Sequence, residues 1–225
     1  MYGAEIVDLV RYKLDDKVDP YGWSTYEIAA ALNQAIDEYA TAGLLIKDRD
    51  TAAICRITIL SGTAEYTLSQ RVVLINDPIW LTTLAKPIYE ITEDYCYANY
   101  GDAWASTSGE ISNYIADRER KKIKFYPIPN ANETATMDVY RTQNTRFTEA
   151  NLSSVSPETD EDTHYNLVHG TITHLYDKSD TDTKDMAGYM TAKSKWADAI
   201  EMAKRMAIKR RYRERRVSPH RGLIC

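Results

Sequence analysis

In four stretches of this 225-residue chain, apolar residues recur every three or four positions, the spacing of one face of a helix. Ile6, Leu9, Val10 and Leu14 predict a short helix that stops in the segment Asp15 to Pro20. Ser24, followed three residues later by Glu27, is a capping box in which each side chain satisfies a free backbone N–H of a first turn. The helix it opens, over 25–42, has Ile28, Ala31, Leu32, Ala35, Ile36, Tyr39 and Ala40 on one face and Gly43 placed to end it. Leu167, Val168, Ile172 and Leu175 predict a third helix over 164–177. After a polar break at Ser179 to Thr183, Met186, Tyr189, Ala192, Trp196, Ile200, Ala203 and Ala207 predict a fourth over 184–208.

Between the second and third helices the period falls to two. Ile54 to Ile59 reads as a strand, Ser61-Gly62-Thr63 as a turn and Glu65 to Leu68 as its return. Further short runs are Val72 to Ile75, Ile79 to Leu81, Ile88 to Ile91, Tyr114-Ile115, Ile123 to Tyr126 and Thr136 to Arg141. Asn76-Asp77-Pro78, Lys86-Pro87, Asp117 to Arg120 and Pro127 to Asn130 separate them, and Thr92 to Tyr100 reads as a helical turn. The fold class expected is α+β, mainly α: a helical bundle with an inserted small antiparallel or barrel-like β module and an extended C-terminal arm. The expected domains are a discontinuous helical body (1–50 and 150–208), a β-rich module (51–149) and a basic arm (209–225).

Charge sharpens the reading of that arm. From residue 204 onward nine basic residues face one acid, Glu214, a net of +8. Residues 1–203 hold 19 basic and 32 acidic residues, a net of −13. An acidic body with a basic end is the asymmetry of an interaction tail. The apolar stripe stops after Ile208, although helix-forming residues run on to Arg216.

Composition narrows the chemistry. Nine glycines leave little material for phosphate cradles, and no GxSxG, GxxxxGK[ST] or GxGxxG run occurs. Cys55, Cys96 and Cys225 are widely spaced and read as free thiols. No secretory signal or membrane-spanning apolar run is apparent. His164, His169 and His174 stand five apart, so about 140° separates each from the last around a helix, which suits structural roles better than one metal site. The acids at Glu158 to Asp162 and Asp177 to Asp185 lack the pattern of a calcium loop and read as capping groups. Seventeen tyrosines against two phenylalanines suit surfaces that are partly wet, as interfaces are. No catalytic residue, cofactor or metal is expected.

The basic arm has two readings. Nine cations with Tyr212 among them would neutralise phosphates, which makes a DNA-binding protein the alternative. Docking into a groove of a protein partner is favoured, because Val217, Pro219, Leu223 and Ile224 add apolar anchors and the acidic body repels a duplex. The partner-binding residues are then Lys209, Arg210, Arg211, Tyr212, Arg213, Arg215, Arg216, Val217, Pro219, Arg221, Leu223 and Ile224.

The chain also resembles the head-to-tail connector adaptors of tailed bacteriophages. Pro20-Tyr21-x-Trp23-Ser24-x-x-Glu27, Leu32-Asn33-x-Ala35-x-x-Glu38, Phe125-Tyr126-Pro127-x-Pro129, Val139-Tyr140-Arg141, Pro157 and His164-Tyr165-Asn166-Leu167-Val168-His169-Gly170 carry the resemblance, in order. It implies a non-enzymatic structural protein of the virion neck that forms a homo-oligomeric ring, typically a dodecamer, beneath the portal protein. It also implies an arm reaching into the portal, a tail or nozzle protein as the partner below, and a channel that passes DNA without specific binding. No membrane partner is implied.

Overall fold

The computed structural model describes residues 1–117, 119–176 and 185–217, with side chains described through residue 211. Two compact units divide the chain: unit 1 is Met1–Ile46 with Thr142–Cys225, and unit 2 is Lys47–Arg141.

In unit 1, α1 (Gly3–Leu14), α2 (Thr25–Gly43), α5 (His164–Tyr176) and α6 (Met186–Val217) bury their stripes in one core. Ile6, Val10, Ile28, Leu32, Ala35 and Leu167 are completely shielded from solvent. The capping box that opens α2 is present: Ser24 Oγ accepts from Glu27 N, and Glu27 accepts from Ser24 N. The entry to α2 is fixed further by Arg11, which donates to the Trp23 carbonyl and to Asp16, each at 2.9 Å, and lies over the Tyr21 ring.

Two glycines let the helices approach. A Cβ on Gly170 of α5 would fall 2.9 Å from Ala35 Cβ of α2 and 2.9 Å from the Trp196 ring of α6. At the end of α2, a Cβ on Gly43 would lie 2.7 Å from Leu45 and 3.0 Å from Ala203 Cβ. The left-handed cap itself falls on Leu44, at φ 48°, so Gly43 is needed for close packing rather than for the turn.

Unit 2 holds ten strands among the described residues: β1 (Ile46–Asp48, begun by the last residue of unit 1), β2 (Arg56–Ile59), β3 (Glu65–Thr67), β4 (Val72–Leu81), β5 (Lys86–Glu90), β6 (Ser108–Gly109), β7 (Asn113–Asp117), β8 (Lys122–Tyr126), β9 (Ile128–Pro129) and β10 (Glu133–Arg141). A short helix α3 (Ala52–Cys55) precedes β2, and α4 (Glu93–Tyr100) follows β5, capped by Thr92. Alternation is clear in β10, where Ala135, Met137 and Val139 face inward, and in β8, where Ile123 and Phe125 do.

The pairing overturns the expected fold class. The strands form no small antiparallel module beside a helical bundle: eight of them make one large curled mixed sheet, ordered β1-β10-β4-β5-β7-β8-β3 with β2 also on β10, and β5 runs parallel to β7. Strand content is 24% against 45% helix. The expected hairpin of residues 54–59 and 65–68 does not form, since β2 pairs with β10 and β3 with β8. Only residues 60–64 join these two distant strands, which obliges the sheet to curl. Periodicity fixes which residues face inward but not which strand lies beside which, and that choice rests on contacts remote in sequence.

Two smaller corrections have local causes. Asn76-Asp77-Pro78 does not separate two strands but lies within β4 as an irregularity, where the register on β10 jumps from Trp80↔Thr136 to Asn76↔Asp138. The last helix does not end at 208: residues 209–217 continue α6, because nothing before Pro219 breaks a helix. The proposed break at 179–183 and the chain from 218 onward lie outside the described residues.

Buried charges secure the sheet. Asp48 on β1 pairs with Arg141 at the end of β10, both side chains under one tenth exposed, where the chain enters and leaves unit 2. Burial pushes the Asp48 carboxyl up, but donors from Thr51, Arg141 and Asp50 outweigh it and hold the group well below the usual carboxylate range. Glu133, buried at the start of β10, accepts from the N–H groups of Thr83 at 2.7 Å and Leu84 at 2.9 Å, which fastens the turn from β4 to β5.

A methyl group at position 170 has no room. Gly170→Ala is expected to lower unfolding free energy by about 1–3 kcal/mol, read as an earlier urea midpoint, and Ala35→Gly in the same chain is expected to recover part of the loss.

Candidate docking site

The candidate surface begins where α6 stops burying side chains. Its inner stripe is Ala192, Trp196, Ala199, Ile200, Ala203 and Ala207, and Ala207 is the last buried residue among the described side chains. Trp196 anchors the stripe: its indole N–H donates to Glu38 Oε2 at 3.0 Å, and its ring tilts against Tyr39 at 5.4 Å. At 100° per residue, Met186, Met190 and Ile208 flank one side of the stripe and Met202 and Met206 the other, and all five are exposed.

Of the twelve residues assigned to partner binding, three have described side chains. Lys209 and Arg211 are exposed. Arg210 is half-buried and turned to its own unit: its Nη1 donates to the Leu44 carbonyl at 3.0 Å and the Gly43 carbonyl at 3.4 Å, with Asp160 3.9 Å from Nη2. It therefore neutralises the carbonyl end of α2, where a cation complements the helix dipole. Tyr212, Arg213, Arg215, Arg216 and Val217 are on the helix with side chains outside the described set, and Pro219, Arg221, Leu223 and Ile224 lie wholly outside it. Sequence reasoning placed Arg210 with its neighbours and missed its capping role, which depends on a helix end 166 residues away.

The residues with catalytic or metal-binding chemistry have other partners. His164 Nε2 donates to the Thr159 carbonyl at 2.9 Å, and His174 Nε2 donates to the Glu38 carboxylate at 3.1 Å. His169 is buried, with the Tyr165 ring edge-on at 5.5 Å and Nδ1 without a hydrogen-bond partner among the described residues. Burial, with the charges of Lys13 and Lys195 behind it, pushes its pKa down to about 4. Among the described residues no group of three His, Cys, Asp or Glu is placed to hold a metal ion. Burial drives the Cys55 thiol up to about 12 and raises that of Cys96, so neither is poised as a thiolate. Of the acids read as caps, Glu158 accepts from Asn144 N at 2.8 Å and Asp185 accepts from Ala187 N at 3.1 Å in the first turn of α6. No helix among the described residues is long and apolar enough to cross a membrane.

Among the described residues the histidines and thiols are thus buried or hydrogen-bonded within their own unit, and α6 carries a basic stretch past its last buried residue. The family model described as SU10 adaptor protein matches residues 1–222, and the chain belongs to that family, one of phage adaptor proteins. No curated protein matches it.

Two outcomes check this geometry. Arg210→Ala removes the charged donor from the end of α2 and is expected to cost about 1 kcal/mol of stability, measured by urea unfolding, with secondary structure by circular dichroism unchanged. His169 titrates near 6.5 when unfolded and near 4 when folded. As pH falls from 6.5 to 4 the unfolded chain takes up a proton that the folded chain refuses, so stability declines across that window and no further below it. Unfolding free energies of His169→Gln at pH 4 to 7 are expected to follow a shallower slope than those of the unaltered protein.

Proposed function

We propose that this protein is the adaptor ring beneath a phage portal, a virion neck component that joins head to tail and extends the DNA channel. The observation that carries the reading is membership of the adaptor family over residues 1–222. The C-terminal stretch of α6 with the tip after it, residues 209–225, docks into the portal through its cations and apolar anchors. Copies of the chain assemble side by side through the exposed methionines that flank the buried stripe of α6 on both sides. A tail or nozzle protein binds below.

The charge distribution supports a channel role. Of the −13 carried by residues 1–203, unit 1 contributes −11, from 8 basic and 19 acidic residues. A wall of that sign repels passing DNA instead of retaining it.

Removal of residues 212–225 leaves the Arg210 cap in place, so the truncated protein is expected to keep its thermal midpoint while losing co-assembly with the portal in particle images. A truncated protein that still decorates portals overturns the docking role of the arm. The competing reading, duplex binding by the arm, requires instead a salt-sensitive affinity for DNA that vanishes with the same truncation. Copy number is read from the same images, and a protein that stays monomeric with its portal contradicts the ring.

A further inference from the structure

Unit 2 segregates its charge. It has eleven basic and thirteen acidic residues, yet from Pro87 to Ala116 there is no Lys, Arg or His, while five acids occur. The rest of the unit is therefore net +3. At the centre of the acidic stretch stands α4, eight residues of which Cys96 alone is buried. Its tyrosines Tyr95, Tyr97 and Tyr100 are 49%, 51% and 47% exposed.

These rings are held in place. Tyr95 meets Tyr100 edge-on at 6.4 Å, Tyr97 meets the buried Trp104 edge-on at 5.5 Å, and Tyr100 tilts against Tyr126 at 5.1 Å. Preordered tyrosines give large contact area at low entropic cost. The cluster already accepts a cation, since the Lys124 ammonium lies 4.2 Å from the centre of the Trp104 ring. Glu93, Asp94 and Asp102 beside it enter no ion pair among the described residues. A helix that buries one side chain of eight gains little from its own unit.

We propose that this acidic helix, with exposed tyrosines on both sides of its one buried residue, docks an arginine- or lysine-rich segment of a second protein that lies across it. Its cations lie on the Tyr95, Tyr97 and Tyr100 rings and pair with Glu93, Asp94 and Asp102. Nucleic acid and acidic segments are repelled by the same carboxylates. That the second protein is a virion component which the adaptor joins to the head rests on the function proposed above.

The full chain is titrated with a poly-arginine peptide, a poly-glutamate peptide, duplex DNA and a synthetic peptide of residues 209–225, with cross-linking to map contacts. Poly-arginine is expected to cross-link within residues 93–102 and to bind about tenfold more weakly to Y95A/Y97A/Y100A, whose thermal midpoint falls somewhat as ring packing is lost but whose circular dichroism at the titration temperature is that of the unaltered protein. The single variant Y95A, whose ring meets only Tyr100, is expected to weaken binding with less loss of stability. E93Q/D94N/D102N is expected to flatten the salt dependence. Unaltered poly-arginine affinity in both triple variants, or tighter binding of DNA, poly-glutamate or the chain's own 209–225 peptide at this face, overturns the proposal. In phage particles carrying Y95A/Y97A/Y100A, heads that keep the adaptor but lack tails support it, and normally tailed particles overturn it. If the unaltered adaptor is absent from heads, the adaptor reading fails by itself, and the titration still decides the surface.

Discussion

The absence of a side chain at Gly170 is the constraint on which unit 1 depends. Ala35 and the Trp196 ring both come within 2.9 Å of where a Cβ would stand, so α5 meets α2 and α6 at one point of closest approach. Closure there sets Trp196 to donate to Glu38, whose carboxylate also receives His174, so one acid on α2 binds both other helices. Seven residues further along α6 from Trp196, Ala203 packs by the same logic over Gly43, and Arg210 then closes on the carbonyls of Gly43 and Leu44. Three contacts in register thus fix the line along which α6 leaves the core, and with it the direction of the basic end.

Much of this was legible residue by residue. The stripes of α2, α5 and α6 follow from spacing, and the Ser24–Glu27 box is observed as read. The motifs that carry the family resemblance turn out to be packing devices: Asn33 brackets Phe147 with two 2.9 Å bonds to its backbone, Ala35 faces Gly170, and Glu38 collects two donors. Their order could be recognised in the sequence. Their partners could not, because Phe147 is 114 residues from Asn33 and no periodicity links them.

The sheet shows where local reading fails. Each short alternating run was visible, yet a run does not say whether its neighbour along the chain is also its neighbour in space. Residues 56–59 and 65–67 look like a hairpin because a glycine turn separates them, and they instead pair with β10 and β8. What decides the matter is that β10 offers nine residues with one nearly continuous inward face, long enough to take β2 and β4 on its two edges. A strand of that length wins partners that a three-residue strand cannot supply.

The polar groups buried in this protein serve the same end. Asp48 with Arg141 and Glu133 with the turn at Thr83 and Leu84 each sit where a strand starts or ends, while the buried Tyr114 ring is pinned through its hydroxyl to the exposed Asp77 at 2.5 Å. An unpaired charge at any of these points is costly, so a slipped register that separates the partners is disfavoured by more than lost apolar contact. Such groups mark an active site in many proteins, but that reading needs a solvent-reachable group with a shifted affinity for protons and a cleft around it. Here the shifted carboxylates, Asp48 and Glu133, are enclosed by the backbone they fasten. The buried carboxylates of this protein are therefore fastenings of the sheet, and the register of β1, β4 and β10 rests on paired charge as well as on apolar burial.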